Sequence, residues 1–372
     1  MSCTTLAYDA DGNLQTLKDQ TGTTTYAQDK LNRLTSEAES LTGTQTCTTT
    51  PTACTTYTLD GVGNITKLVN GAGSTYYYFD KANRPSSMKD PAGNTITFYV
   101  DADGNRYQTT YPNGTYLNST YDNADHLSNI NSSTSTTTLT NLSYSYISST
   151  DTNQRFYQVD NVGSNNWAYG YDQLNRLATA MPTYPAPTQY SSYDANSNNC
   201  GRTNGSACTG SGDPFQYNAK DQLLSQNGLT YTYAGDGSMN TWHNATDSGT
   251  LTENVQGQLA TETHGSSIST SYTYRGIGQA DRATASSSYF GNQTWTSDLL
   301  GVSTETNTST LITTGCTCYY VHDPSGVLVE MIQTTGTYAG TYFPIYDGAG
   351  SVIALTNSSG SVVDTWTYSP TM

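Results

Sequence analysis

The sequence predicts an all-β protein built from consecutive antiparallel hairpins. Three observations support this. A seven-residue frame recurs along the chain, its copies stand about twenty residues apart, and the segments between them are rich in Thr, Tyr, Val and Ile, which suit pleated strands. In its clearest copy, Tyr171-Asp172-Gln173-Leu174-Asn175-Arg176-Leu177, the frame reads Tyr-Asp, two spacers, a turn residue and Arg-Leu.

The copies keep a regular phase along the chain. Asp60, Asp80, Asp101 and Asp122 are separated by 20, 21 and 21 residues. The frame begins at Tyr8, Tyr26, Phe79, Val100, Tyr121, Tyr171 and Tyr346, and in looser form at Leu59, Tyr193 and Tyr217. The chain is therefore a repeat array, which grows in one dimension and need not divide into separate domains.

The centre of each frame has the chemistry of a tight turn. Gly and Asn tolerate positive φ, and an Asp carboxylate can accept a hydrogen bond from the backbone two residues later. No helical 3.6-residue pattern longer than about two turns interrupts the strand signals. One repeat is therefore expected to form strand, turn, strand and a second, more variable turn.

The structural residues of the repeat are its tyrosines and aspartates. The tyrosines are expected to lie in register along one face of the sheet, with the aspartates holding the turns. The predicted set is Tyr8, Asp9, Asp80, Asp101, Tyr121, Asp122, Tyr171, Asp172, Tyr346 and Asp347.

Composition limits the possible partners. The formal net charge of the 372-residue chain is −16, which disfavours nucleic acid and insertion into anionic membranes, because both need a cationic surface. No apolar stretch approaches the ~20 residues that span a bilayer. Tyr supplies much of the apolar area, with 31 residues against 6 Phe, and its hydroxyl group needs a partner when the ring is buried.

No catalytic, cofactor-binding or metal-binding residues are predicted. The segment Asp101-Ala102-Asp103-Gly104-Asn105 resembles a calcium loop, but it lacks the distal bidentate Glu, so a turn is the better interpretation. No Gly-x-Ser-x-Gly elbow occurs. Trp167, Trp242, Trp295 and Trp366 could stack on sugars, which leaves glycans open as partners, or they could fill a sheet face.

The cysteines form local pairs. Cys47 and Cys54 bracket a Thr/Pro loop, and Cys200 and Cys208 bracket a Gly/Asn/Ser loop. Such pairs in a polar chain favour disulfides and an oxidising compartment over free thiols or zinc. Cys316 and Cys318 are a further candidate pair, although a disulfide across one intervening residue is strained. Cys3 is left over for a link between chains.

The last part of the chain has the best-formed hairpin pattern. From Tyr319 onward, alternating apolar residues flank Gly turns with little insertion, which is typical of tight hairpins. The sequence thus divides into a repeat array at 1–318, with Thr-, Ser- and Cys-rich insertions, and C-terminal hairpins at 319–372 that continue it.

On these motifs the chain resembles the YD or Rhs repeat proteins, which include bacterial Rhs and wall-associated polymorphic toxins, Tc toxin shell components and animal teneurins. Residues 319–370 are similar to the Rhs repeat-associated core. The resemblance implies one continuous β-strip that spirals into a hollow shell or tube, often around a toxic cargo domain. Family cores continue into a self-cleavage segment, whereas this chain reads Tyr368-Ser369-Pro370-Thr371-Met372.

Three functions remain open at this stage. A non-enzymatic shell or scaffold, exported to the cell surface or beyond, is the first. A self-assembling extracellular filament or sheath subunit is the second, and a carbohydrate-binding adhesin is the third. The N-terminus shows no basic region followed by an apolar core, so the sequence indicates either a piece of a longer protein or export without such a signal.

Overall fold

A computed structural model describes most of the chain as β-strand. It covers residues 4–19, 21–40, 54–146, 153–182, 188–201, 206–210, 212–276, 281–308 and 315–368. These residues form 32 strands and contain no helix, and therefore no helix that could cross a bilayer. The prediction of an all-β antiparallel fold is confirmed.

The strands form two large sheets of 17 and 15 strands. The first sheet contains β1 (Thr5–Tyr8), β2 (Leu14–Asp19), β3 (Gly22–Gln28), β4 (Leu34–Ser40), β5 (Cys54–Leu59), β6 (Ile65–Asn70), β7 (Gly73–Phe79), β8 (Pro85–Lys89), β9 (Thr95–Val100), β10 (Arg106–Thr110), β11 (Tyr116–Tyr121), β12 (Leu127–Ser133), β13 (Thr138–Tyr146), β14 (Arg155–Asp160), β15 (Trp167–Tyr171), β16 (Leu177–Pro182) and β17 (Gln189–Tyr190).

The second sheet continues the chain to its last described strand. It contains β18 (Phe215–Tyr217), β19 (Leu223–Gln226), β20 (Leu229–Tyr233), β21 (Met239–His243), β22 (Ser248–Glu253), β23 (Leu259–His264), β24 (Ile268–Arg275), β25 (Asp281–Ser287), β26 (Gly291–Asp298), β27 (Gly301–Asn307), β28 (Cys316–His322), β29 (Leu328–Gln333), β30 (Gly340–Tyr346), β31 (Val352–Asn357) and β32 (Val362–Thr365).

Within each sheet every strand pairs antiparallel with the next strand in the chain, as β11 pairs with β12 and β28 with β29. The register shifts by one residue beside each Tyr-Asp turn, for example between Thr120 and Tyr121. This shift is the bulge that accompanies a three-residue hairpin loop whose last residue has positive φ. The predicted Gly and Asn turn residues supply that conformation: φ is 98° at Gly104 and 62° at Asn175.

The ladder is interrupted between β17 and β18, where the sequence predicts one continuous sheet. A polar insertion connects β17 to β18 instead. The Cys200 N–H donates to the Ser192 carbonyl and the Phe215 N–H donates to the Cys200 carbonyl. Cys200 and Cys208 are joined there as a disulfide with Cα atoms 5.9 Å apart. This short loop is therefore the joint between the two sheets.

The main hydrophobic core lies where the two sheets meet. Tyr57, Tyr77 and Met88 from the first sheet pack with Val329 and Phe343 from the second. A smaller cluster around Ile130, Leu142 and Tyr144 also contacts Ile353 of the second sheet. The predicted boundary between 318 and 319 falls inside β28, so the C-terminal hairpins belong to the same sheet as the strands before them. The division itself remains a prediction.

We expect Cys200 and Cys208 to be protected from alkylation without reductant, because a disulfide closes their loop. Thiol labelling followed by peptide mapping checks this, with Cys316 and Cys318, which are free thiols in the structure, as the internal control in denaturant. Full labelling of Cys200 and Cys208 would contradict the assignment. The same map tests the Cys47–Cys54 pair: Cys54 is disulfide-bonded, while Cys47 lies outside the described residues.

Candidate functional site

The repeat is organised by an aspartate that closes each turn. In the copy at Asp172, the Asp172 N–H donates to the Arg176 carbonyl, and the Asn175 N–H donates to the Asp172 carbonyl. The Asp172 Oδ1 accepts from the backbone N–H groups of Leu174 (2.9 Å) and Arg176 (3.0 Å). Its Oδ2 accepts from the Arg176 guanidinium Nε at 2.7 Å. One carboxylate therefore binds two backbone N–H groups and the arginine side chain of its loop.

The same arrangement recurs along the chain. Asp9, Asp80, Asp101, Asp122 and Asp347 each accept the N–H groups two and four residues later. All the aspartates chosen from the sequence thus occupy equivalent turns in the structure. Their individual contributions to stability remain predictions.

These hydrogen bonds lower the pKa of the turn carboxyl groups. For Asp172 the largest cause is the backbone N–H of Arg176, and for Asp122 it is the backbone N–H of His126. A carboxyl whose pKa is lowered in the folded state stabilises the fold above its ordinary pKa, 3.8, and loses that contribution as pH falls. These groups are at least partly exposed, so solvent screens each contribution.

Successive turns are also bonded to one another. The Arg33 Nη1 donates to the Asp60 carbonyl, and the Arg84 Nη1 donates to the Asp101 carbonyl, both at 2.7 Å. Where Asn replaces Arg, its amide reaches the positive-φ residue of the next turn, as from Asn105 to the Asp125 carboxylate at 3.0 Å. The turns therefore form a ladder along one rim of the sheet.

The repeat tyrosine connects each strand to the one before it. The Tyr171 hydroxyl donates to the carbonyl of Arg155, the first residue of β14, at 2.8 Å. Equivalent bonds join Tyr121 to Arg106, Tyr146 to Leu127, Tyr193 to Leu177, Tyr217 to Asn199, Tyr233 to Leu223, Tyr274 to Leu259, Tyr346 to Leu328 and Tyr368 to Val352. This bond, the tyrosine latch, explains why most copies of the frame carry Tyr, although the copies at Leu59, Phe79 and Val100 do not.

Tyr8 differs from the other three tyrosines predicted to be equivalent. Tyr121, Tyr171 and Tyr346 are partly buried and latched, whereas Tyr8 is 55% exposed. The reason is positional, because Tyr8 ends β1 and the described chain has no earlier strand to offer a carbonyl. The shared feature of the latched tyrosines is the hydroxyl bond, whose backbone acceptor was not predicted from the sequence. That they lie in register along one face remains a prediction.

The contact between the two sheets, here called the seam, carries several buried polar groups. The Tyr77 hydroxyl donates to the His322 carbonyl at 3.1 Å, and the Gly348 N–H donates to the Tyr144 hydroxyl at 2.7 Å. Two ion pairs cross the seam, Arg106 with Asp323 and Arg275 with Glu39. None of these contacts was predicted from the sequence, because they join residues more than 200 positions apart.

Several carboxyl groups of the seam hold their protons more tightly than usual. Burial raises the pKa of Glu37 to about 7, that of Asp298 to about 6 and that of Glu330 to about 8. Glu37 accepts a 2.5 Å bond from the Tyr57 hydroxyl, which in turn accepts the Leu299 N–H. The seam therefore contains buried carboxyl groups that keep their protons to higher pH than exposed carboxyl groups do.

An open cleft of about 860 Å³ lies beside the seam. One wall comes from β13 to β16 of the first sheet and the other from the end of the second sheet. Two of the four tryptophans selected from the sequence, Trp167 and Trp366, line it together with Tyr171 and Tyr368. Trp242 instead packs its ring near His264, and Trp295 lies on β26. The remaining polar lining is mainly amide and hydroxyl groups, with Arg155, Asp160 and Asp347 as the charged residues.

The predicted Cys316–Cys318 disulfide is not present in the structure. The two residues are free thiols with their sulfur atoms 3.7 Å apart. Successive same-side residues of a strand are roughly 6.6 Å apart, at the upper end of the Cα separation that a disulfide spans, so bonding would distort β28. Burial raises the pKa of the Cys318 thiol to about 12, which keeps it protonated and unreactive.

One group among the described residues has metal-ligand composition, namely Cys200, Cys208 and Asp213. Both sulfur atoms are engaged in the disulfide, so neither can act as a thiolate ligand. Asp213 accepts the backbone N–H groups of Thr209 and Gly210. The group is accounted for by the structure of the loop.

The fold and repeat geometry define the chain as a YD-repeat shell protein. The family model for the Teneurin YD-shell matches residues 115–371, more than half of the chain. The chain belongs to this family. No curated protein sequence matches it.

Solved structures support the same fold. A structure of the Photorhabdus luminescens Tc holotoxin pore superimposes with a TM-score of 0.63 and 12% identity, covering 99% of this chain and 21% of the other. The crystal structure of TcdB2-TccC3 gives 0.64 and 12%, with 99% and 22% covered. That of TcdB2-TccC3-Cdc42 gives 0.59 and 12%, with 99% and 21% covered. The chain thus spans about a fifth of the length of these structures.

Replacing Tyr171 by Phe should lower the free energy of unfolding by about 1 kcal/mol, since the Arg155 carbonyl loses its hydroxyl donor. Tyr8→Phe is the matched control, because the Tyr8 hydroxyl belongs to an exposed side chain at the edge of the sheet. Urea unfolding of both variants gives the comparison.

Hydrogen exchange locates the effect of Tyr171→Phe. In a one-dimensional array the loss of protection should centre on β14 to β16 and leave β2 to β4 unchanged. Equal stability of the two variants, or uniform loss of protection from β1 to β32, would contradict the latch as a local connection between strands.

Proposed function

We propose that the protein is a non-enzymatic structural shell or scaffold, part of an exported bacterial toxin or surface protein, whose task is to enclose a polypeptide cargo. The observation that carries this proposal is the repeated turn and tyrosine latch. In these, the Asp, Arg and Tyr side chains of the frame make hydrogen bonds that hold the sheet together. The Asp172 carboxylate, the Arg176 guanidinium and the Tyr171 hydroxyl, which could otherwise suggest chemistry, are all engaged in hydrogen bonds of the fold.

The length of the chain bears on how enclosure would be achieved. It corresponds to about a fifth of the solved shells that it resembles, and its cleft of about 860 Å³ has the volume of a small-molecule site rather than of a protein domain. A shell that encloses a polypeptide therefore requires further repeats or further copies of this chain.

The outermost strands suit such an extension and also support a filament as the alternative function. All residues of β1 and of β32 are exposed, and an unpaired strand edge is a template for pairing with another chain. Extracellular export is part of both proposals, and the predicted disulfides are consistent with an oxidising compartment.

Particle shape distinguishes these two proposals. Light scattering coupled to gel filtration, followed by negative-stain imaging, should show discrete hollow particles if the chain forms or completes a shell. Long unbranched polymers would favour the filament instead. Solid, compact monomers at every concentration would contradict both proposals.

A third proposal, carbohydrate binding, is favoured by the cleft. Trp366 is 39% exposed and Tyr368 is 52% exposed, so aromatic faces are available for stacking on sugar rings. Amide and hydroxyl side chains, including Asn153, Gln154 and Thr140, line the same space and are suited to orienting sugar hydroxyl groups. This combination of an aromatic platform and mostly uncharged polar groups is typical of small-ligand sites.

Trp366→Ala should reduce binding to any glycan that an array identifies by at least about tenfold, since it removes an aromatic platform of the cleft. Trp295→Ala, outside the cleft, is the matched control and should bind as the unchanged protein does. Absence of binding across the array, or equal binding by both variants, would contradict carbohydrate binding in the cleft. Neither result would affect the shell proposal.

A further inference from the structure

The seam contains two buried carboxyl groups, one from each sheet, that are not part of an ion pair described above. Asp90, in the turn between β8 and β9, and Glu330, on β29, are each 1% exposed. The two side chains come from different sheets, and the Asp90 side chain is near enough to raise the pKa of Glu330. Two carboxylates cannot share a dry site unless one of them carries a proton.

The remaining contacts of Asp90 show which partner carries the proton. The Asp90 Oδ1 accepts the Asn94 backbone N–H at 2.7 Å, and its Oδ2 accepts the Asn94 side-chain amide at 2.8 Å. Both oxygens of Asp90 are thus already acceptors, as in the other repeat turns. Glu330 has no such donors, and its Oε2 lacks a hydrogen-bond partner among the described residues. Glu330 is therefore the group that donates a proton to Asp90.

Among the described residues, no cation forms an ion pair with Glu330. The Arg106 guanidinium on β10 pairs with Asp323 at 2.5 Å and not with Glu330. The Lys89 side chain on β8 is exposed to solvent. Burial lowers the pKa of His322, so this ring is neutral at pH 7. Burial raises the pKa of Glu330, and the neighbouring Asp90 side chain raises it further.

We propose that a proton held between Glu330 and Asp90 fastens the two sheets together, so that the seam is firm in mildly acidic solution and loosens as the solution becomes alkaline. Loss of this proton leaves two buried negative charges facing each other across the seam. The proposal concerns the contact between the sheets and does not depend on what the shell encloses.

The direction of the pH dependence follows from the raised pKa of Glu330, about 8 against an ordinary value of 4.5. Between these values the unfolded chain releases a proton that the folded chain keeps, so stability falls as pH rises. Glu37 and Asp298, whose pKa values burial also raises, act in the same direction at lower pH. The turn aspartates act oppositely, but below about pH 4.

Glu330→Gln isolates the contribution of this pair, because glutamine keeps the shape and can donate an amide N–H to Asp90 without titrating. Urea unfolding between pH 6 and pH 8 should show the unfolding constant of the unchanged protein rising by up to about tenfold per pH unit for each such proton. In Glu330→Gln the logarithm of the unfolding constant should rise less steeply with pH, by an amount that corresponds to about one proton. Glu253→Gln, at an exposed position on β22, should leave this slope unchanged.

Equal slopes for Glu330→Gln and Glu253→Gln would overturn the proposal. If Glu330→Gln fails to fold, hydrogen exchange of the unchanged protein, corrected for intrinsic rates, supplies the same test. Protection of β29 should fall between pH 6 and pH 8.5 relative to β20 and β21, which lie elsewhere in the second sheet. Equal changes in these strands would likewise overturn it.

Discussion

The aspartate-closed turn is the constraint on which the rest of this structure depends. One carboxylate binds the backbone two and four residues ahead, which fixes a positive-φ residue between them and a bulge beside the tyrosine. The bulge sets the register of the following strand and so decides which side chains face the core. Since the turn recurs in each repeat, the register of the whole sheet is set locally and repeatedly rather than by one long-range contact.

The tyrosine latch explains how a polar sequence can hold so large a sheet. Only 34% of the residues are hydrophobic, and the main core is confined to the region where the sheets meet. Elsewhere, strands are connected by side-chain hydrogen bonds, such as the threonine pairs Thr252–Thr261 and Thr273–Thr284, and by tyrosine rings whose hydroxyls reach backbone carbonyls. A phenylalanine would bury similar area but leave that carbonyl without its donor.

The two kinds of carboxyl group in the protein respond to pH in opposite directions. Those in the partly exposed turns, such as Asp172, accept hydrogen bonds from N–H groups, so their pKa values are lowered. Those in the seam are buried, so their pKa values are raised, as for Glu37 and Glu330. The turns are thus weakened by strong acid and the seam by rising pH, which places the greatest stability in mildly acidic solution.

The amino-acid sequence by itself determined the strands, the turns and the repeat, because these depend on residues within a few positions of each other. Asp172, Asn175 and Arg176 reveal their roles by spacing alone, and the family resemblance follows from the same frame. The sequence did not reveal that Tyr171 bonds Arg155, since the acceptor is a backbone carbonyl that any residue could provide.

Only the tertiary structure decided which surfaces meet. It brought Trp167 and Trp366 into one cleft and Asp90 and Glu330 into one buried pair. It also separated one predicted sheet into two at the Cys200–Cys208 loop. Contacts between residues hundreds of positions apart depend on the twist accumulated over many strands. No local sequence pattern specifies that accumulated twist.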